Sequence, residues 1–156
     1  MENRHSRNSY PSHNGRPDSN ENWQSAETAE KWFQQHMYKS EWITQQADKD
    51  LVAYAEEAGK FMVEKELTKS KIRNIYGEIK RIDIKGFEEA KSSFFLLKAK
   101  MAYAVGRDRK NEGLRLFQLI FDRCWQDVSD QEKSYKNFCR FIEAILVYHR
   151  AHGGKD

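Results

Sequence analysis

The chain has 156 residues, with 27 Lys and Arg against 24 Asp and Glu, and its mean hydropathy is −0.94. A length near 150 residues predicts one ordinary domain with its own hydrophobic core. No stretch approaches the roughly 18 consecutive apolar residues of a membrane span, and the amino terminus has no apolar segment typical of a secretory leader. We therefore expect a cytoplasmic protein that has no membrane partner. The two cysteines, Cys124 and Cys139, fit a reducing compartment.

Both prolines lie within the first 22 residues, a segment rich in Asn and Ser that contains no Leu, Ile, Val or Phe. Such a segment buries too little apolar surface to offset the entropy of ordering it, so residues 1–22 are predicted to be a disordered polar tail. His5 and His13 lie in this tail and are interpreted as solvated side chains rather than metal ligands. Residues 23–156 contain no proline, which favours helices with short connections over a sheet. We expect these residues to form a single all-α domain, a compact bundle of five to six helices.

Apolar residues recur at intervals of three and four through this domain and divide it into helices. Residues 32–37 indicate a short first helix, and residues 47–62 indicate a longer second one. The third helix begins at Thr68, whose hydroxyl is suited to cap the first amide groups, and isoleucines line one of its faces. A loop over residues 83–86 is predicted to lead into the fourth helix.

The fourth helix, from Phe87 to Gly106, is apolar nearly all round. That pattern is typical of a helix that is central in a bundle or packed against two neighbours. Residues 113–127 and 131–152 predict two more amphipathic helices, and glycines 153 and 154 end the last one. His149 lies on the apolar face of the last helix, so it is interpreted first as a hydrogen-bonded histidine in the core or at an interface.

The basic residues are concentrated in the middle of the chain. Residues 66–110 carry 12 basic and 6 acidic side chains, whereas residues 23–65 carry 5 basic and 8 acidic ones. A helical wheel groups the following side chains on two neighbouring helices: Lys69, Arg73 and Lys80 on the third, and Lys100, Tyr103 and Arg107 on the fourth. Clustered cations with an aromatic ring among them suit a phosphate backbone. Ordinary solvated helix faces have a similar composition, so charge alone leaves the partner open.

No motif for catalysis or for metal or cofactor binding is present in the sequence. There is no glycine-rich phosphate loop between a strand and a helix. Cys124 and Cys139 are not in the spacing of a zinc site and have apolar neighbours, which favours unreactive buried thiols. His149 and His152 lack further ligands nearby in the sequence. We therefore expect neither an enzyme nor a metalloprotein.

Three motifs occur in order between Leu67 and Asp156: LTKSKIRNIYGEIKRI, LLKAKMAYAVGR and FIEAILVYHRAHGGKD. Together they resemble the small helical subunit of the type III-A CRISPR interference complex, the Csm complex. That family has a Leu-Thr-x-Ser-x-Ile-Arg helix start, a Lys-Leu-Ala-Tyr…Gly-Arg helix end and a Glu-Ala-Ile…Tyr-His-Lys…Gly-Gly-Lys-Asp tail. This chain has Ala99, Met101 and Arg150 where the family has proline, leucine and lysine, and these departures remove no charge.

The resemblance implies a non-catalytic scaffold subunit in antiviral defence. Several copies would stack in the complex beside its backbone and large subunits, and would contact the duplex of guide RNA and target RNA without reading its sequence. Six cations are expected at phosphate groups: the motif-matched Arg73, Lys100 and Arg107, and, by wheel position alone, Lys69, Lys80 and Arg109. His149 and Arg150 match the third motif and are weaker candidates for contact with RNA or a neighbouring subunit. The alternative is a helical adaptor that binds proteins without direct RNA contact.

Overall fold

The structure is a computed structural model that describes residues 27–156, so the predicted tail with His5 and His13 lies outside the described residues. The described residues form helices and contain no strand, which confirms the all-α prediction. Residues 27–156 contain seven helices: α1 (Ala29–Gln35), α2 (Glu41–Thr44), α3 (Lys49–Glu64), α4 (Lys69–Lys85), α5 (Phe87–Gly106), α6 (Glu112–Asp127) and α7 (Glu132–Ala151). The helix beyond the predicted five to six is α2, which is a single turn and therefore too short to show a helical period.

Helix α7 contacts most of the other helices, and its closest partner is α3. The two helices approach so tightly at Gly59 that a Cβ atom there would lie 2.7 Å from the backbone nitrogen of His149. Helix α1 packs on α6, and α4 packs on α5. The α4–α5 pair therefore forms a helical hairpin beside the central α3–α7 contact.

Aromatic packing fixes this hairpin to α7. The ring of Phe94 in α5 lies 5.4–5.6 Å, between centroids, from the rings of Phe87, Tyr135 and Phe138. The buried Tyr135 hydroxyl donates a hydrogen bond of 2.7 Å to the carbonyl oxygen of Ile79 in α4. Burial of these rings and pairing of the hydroxyl group stabilise one position of α4 and α5 against α7.

The turn between α4 and α5 is shorter than predicted. Helix α4 continues to Lys85, and Gly86 alone, with φ 99°, separates it from α5. Glycine adopts this left-handed conformation without the steric penalty of a side chain, so one residue is enough to reverse the chain. The predicted loop over residues 83–86 was therefore wrong for its first three residues. A kink at Ala90 (φ −110°, ψ 17°) follows in the first turn of α5.

The first turn of α4 is satisfied by a distant part of the chain. Thr68 occupies the predicted position before the helix, but its side chain makes no capping hydrogen bond and pairs with the Ser70 hydroxyl at 2.9 Å. The Lys69 amide instead donates to the carbonyl oxygen of Lys155 at 2.9 Å. The predicted capping by the Thr68 hydroxyl was thus wrong. The acceptor for the first amide of α4 lies in residues 153–156, which we call the C-terminal strap.

His149 holds the C-terminal strap in place. It is only 4% exposed, and its Nε2 atom donates to the carbonyl oxygen of Leu67 at 2.6 Å. Gly154 lies directly against the imidazole, since any side chain at this position would overlap the ring. The interpretation of His149 as a hydrogen-bonded buried histidine is confirmed. Contact of His149 with RNA or another subunit stays a prediction, although its side chain is buried in this fold.

Helix α5 packs against α4, α6 and α7 on its inner side, but its outer side is open to solvent. Phe95 is 51% exposed and Leu96 is 60% exposed on its outer side. Among residues 27–156, no helix combines the length and the apolar character that crossing a membrane requires. The outer side of α5 is therefore an apolar surface on a strongly polar chain.

Candidate nucleic-acid interface

A groove of about 1070 Å³ lies between α4 and α5 and is open to solvent. Its walls are the exposed side of α4, the second half of α5 and the beginning of the connection to α6. We call it the α4/α5 groove, and its lining residues are Ser70, Lys71, Arg73, Asn74, Ile75, Gly77, Glu78, Ala99, Lys100, Tyr103, Ala104, Arg107, Asp108 and Leu114.

The three motif-matched cations, Arg73, Lys100 and Arg107, all line this groove. They come from two different helices, and the close packing of α4 on α5 brings them together. Lys71 adds a fourth cation, while Glu78 and Asp108 are the two carboxylates. Four positive charges against two negative ones leave the groove with an excess of positive charge.

Two ion pairs cross the α4/α5 groove. Glu78 of α4 places Oε2 at 3.4 Å from the Nζ atom of Lys100 in α5, and the same oxygen accepts from Arg81 at 2.6 Å. The pKa of Glu78 lies below its ordinary value because the charges and hydrogen bonds of Arg81 and Lys100 outweigh the effect of partial burial. Lys71 of α4 pairs with Asp108, which follows α5. Each pair joins the two walls of the groove.

Arg73 and Arg107 differ from the two lysines, since neither has a carboxylate partner among residues 27–156. The guanidinium of Arg107 lies 5.8 Å from the ring centroid of Tyr103, which is 68% exposed. Arg107 also follows the carboxyl end of α5, where a positive charge is favoured by the helix dipole. These side chains present two guanidinium groups and one aromatic face to solvent.

The groove is wide because some of its lining residues are small. Gly77, Ala99 and Ala104 line it, and a Cβ atom added to Gly77 would meet nothing within 4 Å. Small side chains between the charged ones leave room for a bulky group to approach the cations. The shape and the charges of the groove therefore suit an extended anionic polymer.

Two other predicted cations of α4 border a different surface. Lys69 and Lys80 border two smaller depressions of about 410 and 200 Å³ between α4 and α7, which we together call the α4/α7 face. Both lysines share a flank of α4 with Arg73, as the wheel predicts, but they border the depressions toward α7, whereas Arg73 lines the α4/α5 groove. Arg150 also borders this face. Arg109 is exposed in the connection between α5 and α6 and does not line the α4/α5 groove.

Two cations of the α4/α7 face, Lys80 and Arg150, have nearby carboxylate partners. The Nζ atom of Lys80 lies 3.3 Å from a Glu143 carboxylate oxygen and 5.5 Å from the Tyr76 ring centroid. Tyr76 and Glu143 raise the pKa of Lys80. Arg150 lies 3.4 Å from a carboxylate oxygen of Asp156 in the C-terminal strap. The chemistry of this face is thus a mixture of opposite charges.

Sequence reasoning did not single out Lys71, Glu78, Arg81 or Asp108 as residues of the site. A signal for the α4 wall was available, since Ser70, Asn74, Gly77 and Arg81 recur at intervals of three and four opposite the isoleucines. The pairing of Lys71 with Asp108 carried no local signal, because the two residues are 37 positions apart.

The groups considered for other chemistry are engaged elsewhere in the fold. His152 lies 3.3 Å from Glu56, whereas His149 pairs with Leu67, so the two imidazoles do not face one site. Burial raises the pKa of the fully buried Cys124 thiol and raises that of Cys139 to about 12. Within residues 27–156, no three His, Cys, Asp or Glu side chains are grouped to hold a metal ion.

Comparison with known proteins gives one result. Residues 45–155 match the family model described as Csm2 Type III-A, and this match covers well over half of the chain. No curated protein and no solved structure matches the chain. The matched range contains both walls of the α4/α5 groove and the C-terminal strap up to Lys155.

Proposed function

The chain belongs to the Csm2 family of type III-A CRISPR complexes, and we propose that it serves there as a non-catalytic subunit that binds RNA through the α4/α5 groove. The observation that carries the proposal is the convergence of Arg73, Lys100 and Arg107 in one open groove. Arg73 belongs to one motif and Lys100 and Arg107 to another, and the packing of α4 on α5 brings the two motifs together. The RNA bound there is the guide RNA and its paired target.

The groove chemistry favours contact with phosphate groups rather than with base edges. Its cations are two guanidinium groups and two ammonium groups, which bind phosphate oxygens of any nucleotide. Binding of this kind carries no sequence information and weakens as salt concentration rises, because each neutralised phosphate releases counterions. A subunit that contacts many different guide sequences requires this property.

The test uses the complex assembled with its guide RNA. Arg73→Glu combined with Lys100→Glu is expected to weaken retention of RNA about tenfold or more at low salt, with a smaller difference at high salt. The matched control is Lys31→Glu with Lys49→Glu, which makes the same change in net charge at exposed positions outside the groove. Equal retention by both double variants and the wild type at every salt concentration would contradict the proposal.

A second candidate function has its own support in the outer side of α5. Exposed Phe95 and Leu96 form an apolar surface of the kind that protein neighbours cover, which favours an adaptor that binds other subunits of the complex or further copies of itself. Leu96→Glu is expected to lower incorporation into the complex if this surface is covered there. An adaptor without RNA contact is favoured if Leu96→Glu prevents assembly while Arg73→Glu with Lys100→Glu changes no RNA binding.

A further inference from the structure

Two of the four cations in the α4/α5 groove are paired with carboxylate groups of the protein itself. Glu78 contacts Lys100, and Asp108 contacts Lys71, so both lysines already have an anionic partner in the isolated protein. Arg73 and Arg107 have none among the described residues. The two pairs lie at different heights along the groove, since Lys71 is in the first turn of α4 and Glu78 is in its middle.

We propose that Glu78 and Asp108 restrain RNA binding by occupying Lys100 and Lys71 until a phosphate group displaces them. This inference rests on the proposed function of the groove and adds to it an internal competitor. Arg73 and Arg107 then supply the first contacts, and the two lysines exchange a carboxylate for a phosphate. An RNA that makes all four contacts must break both internal ion pairs.

The positions of the carboxylates fit such an exchange. The side chains of Glu78 and Asp108 are 23% and 32% exposed, and those of Lys100 and Lys71 are 50% and 38% exposed. Ion pairs at this exposure are individually weak, so a phosphate competes with them readily. Each exchange releases fewer counterions on balance than binding to an unpaired lysine, because the displaced carboxylate attracts a cation while the neutralised phosphate releases one.

The experiment measures the binding of full-length Glu78→Gln protein to an RNA duplex of mixed sequence over a range of salt concentrations. We expect affinity about two- to fivefold higher than that of the wild type at low salt, because Lys100 and Arg81 lose their carboxylate partner. The plot of log affinity against log salt is expected to become steeper by up to about one unit, since no displaced Glu78 carboxylate takes up a cation when Lys100 binds a phosphate.

The matched control is Glu88→Gln. Glu88 pairs with Lys91 at 3.0 Å in an exposed ion pair of the same i,i+3 type as Glu78 and Arg81, but it lies outside the groove. This variant changes the net charge equally and is expected to leave the salt slope unchanged. If Glu78→Gln and Glu88→Gln shift affinity and slope by the same amount, only net charge matters and the restraint is disproved.

A second variant shows whether Glu78 acts through Lys100. In a Lys100→Gln background, the gain from Glu78→Gln is expected to shrink, because the cation that it releases is gone. An undiminished gain in affinity in that background, together with no gain in affinity from Asp108→Asn, contradicts the proposal.

The results also separate this inference from the proposed function on which it rests. If neither the wild type nor Glu78→Gln binds RNA, the proposed function and the restraint are both disproved. If Arg73→Glu abolishes RNA binding while Glu78→Gln binds with the same affinity as Glu88→Gln, only the restraint is disproved.

Discussion

The two sides of α4 carry cations in comparable number but arrange them differently. The α4/α5 groove gathers Lys71, Arg73, Lys100 and Arg107 around one space of about 1070 Å³. The α4/α7 face divides its cations between depressions of about 410 and 200 Å³, and the C-terminal strap forms part of its surface. Charge count therefore does not distinguish the two sides. The two sides differ in the shape of their surfaces and in how much each contributes to the stability of the fold.

The largest effect on stability is expected on the α4/α7 side. His149→Ala removes a buried ring and leaves the Leu67 carbonyl oxygen without its partner, which should lower the free energy of unfolding by about 2–4 kcal/mol. Urea denaturation followed by circular dichroism measures this change. His152→Ala, three residues later and exposed, is the control and should change the free energy by less than about 0.5 kcal/mol. Equal stability of the two variants would show that the C-terminal strap contributes little.

The next largest effect is expected on RNA binding, and it allows a direct comparison of the α4/α5 groove with the α4/α7 face. Arg73→Glu with Arg107→Glu should reduce RNA retention by the assembled complex about tenfold or more, whereas Lys69→Glu with Lys80→Glu should change it less than about threefold. Both double variants alter the net charge equally, so overall repulsion cancels in the comparison. Filter binding at several salt concentrations provides the measurement. A larger loss from the second pair would move the interface to the α4/α7 face.

A smaller effect is expected from the groove lining. Gly77→Ala should raise the free energy of unfolding by about 0.5–1 kcal/mol, since alanine favours a helix and its methyl group meets nothing within 4 Å. The same substitution at Gly59 should be destabilising, because its Cβ atom would lie 2.7 Å from the His149 nitrogen. Thermal unfolding of Gly77→Ala and Gly59→Ala measures both changes in stability. Loss of stability in Gly77→Ala would mean that the groove is narrower than described.

The smallest effect is expected at the ion pair of the α4/α7 face. Glu143→Gln removes the partner of Lys80, but both side chains are nearly half exposed, so the free energy of unfolding should change by less than about 0.5 kcal/mol. Its RNA affinity should equal that of the wild type, in contrast to Glu78→Gln in the α4/α5 groove. Parallel titration of both variants with the same RNA provides the comparison. An equal increase in RNA affinity in both variants would show that the carboxylates of the two sides do not differ in their effect on RNA binding.

Much of the fold was predictable because it depends on local pattern. The spacing of isoleucines in α4 and of apolar residues in α6 and α7 gave these helices nearly at their observed bounds. The pattern could not give α2, which is one turn long. Nor could it show that Gly86 alone forms the turn after α4, since helix propensity does not reveal how few residues a reversal needs.

The candidate site was predictable only in part. The motifs supplied Arg73, Lys100 and Arg107, and all three line one groove. A wheel of a single helix could not reveal that Lys69 and Lys80 border depressions toward α7 while Arg73 lines the groove toward α5, because it contains no information about the neighbouring helices. The ion pairs of Glu78 and Asp108 depend on how α4 and α5 pack, and so they became visible only in the structure.

The hydrogen bond between Lys69 and Lys155 has a consequence for the order of events during synthesis. Residues 69 and 155 are far apart in the chain, yet the first amide group of α4, that of Lys69, donates to the Lys155 carbonyl oxygen. While the chain emerges from the ribosome, one wall of the α4/α5 groove therefore lacks its last anchor until the strap has been translated. We expect the α4/α5 groove to form late, after α3, α6 and α7 have packed together, so that the nascent chain has no complete RNA-binding surface.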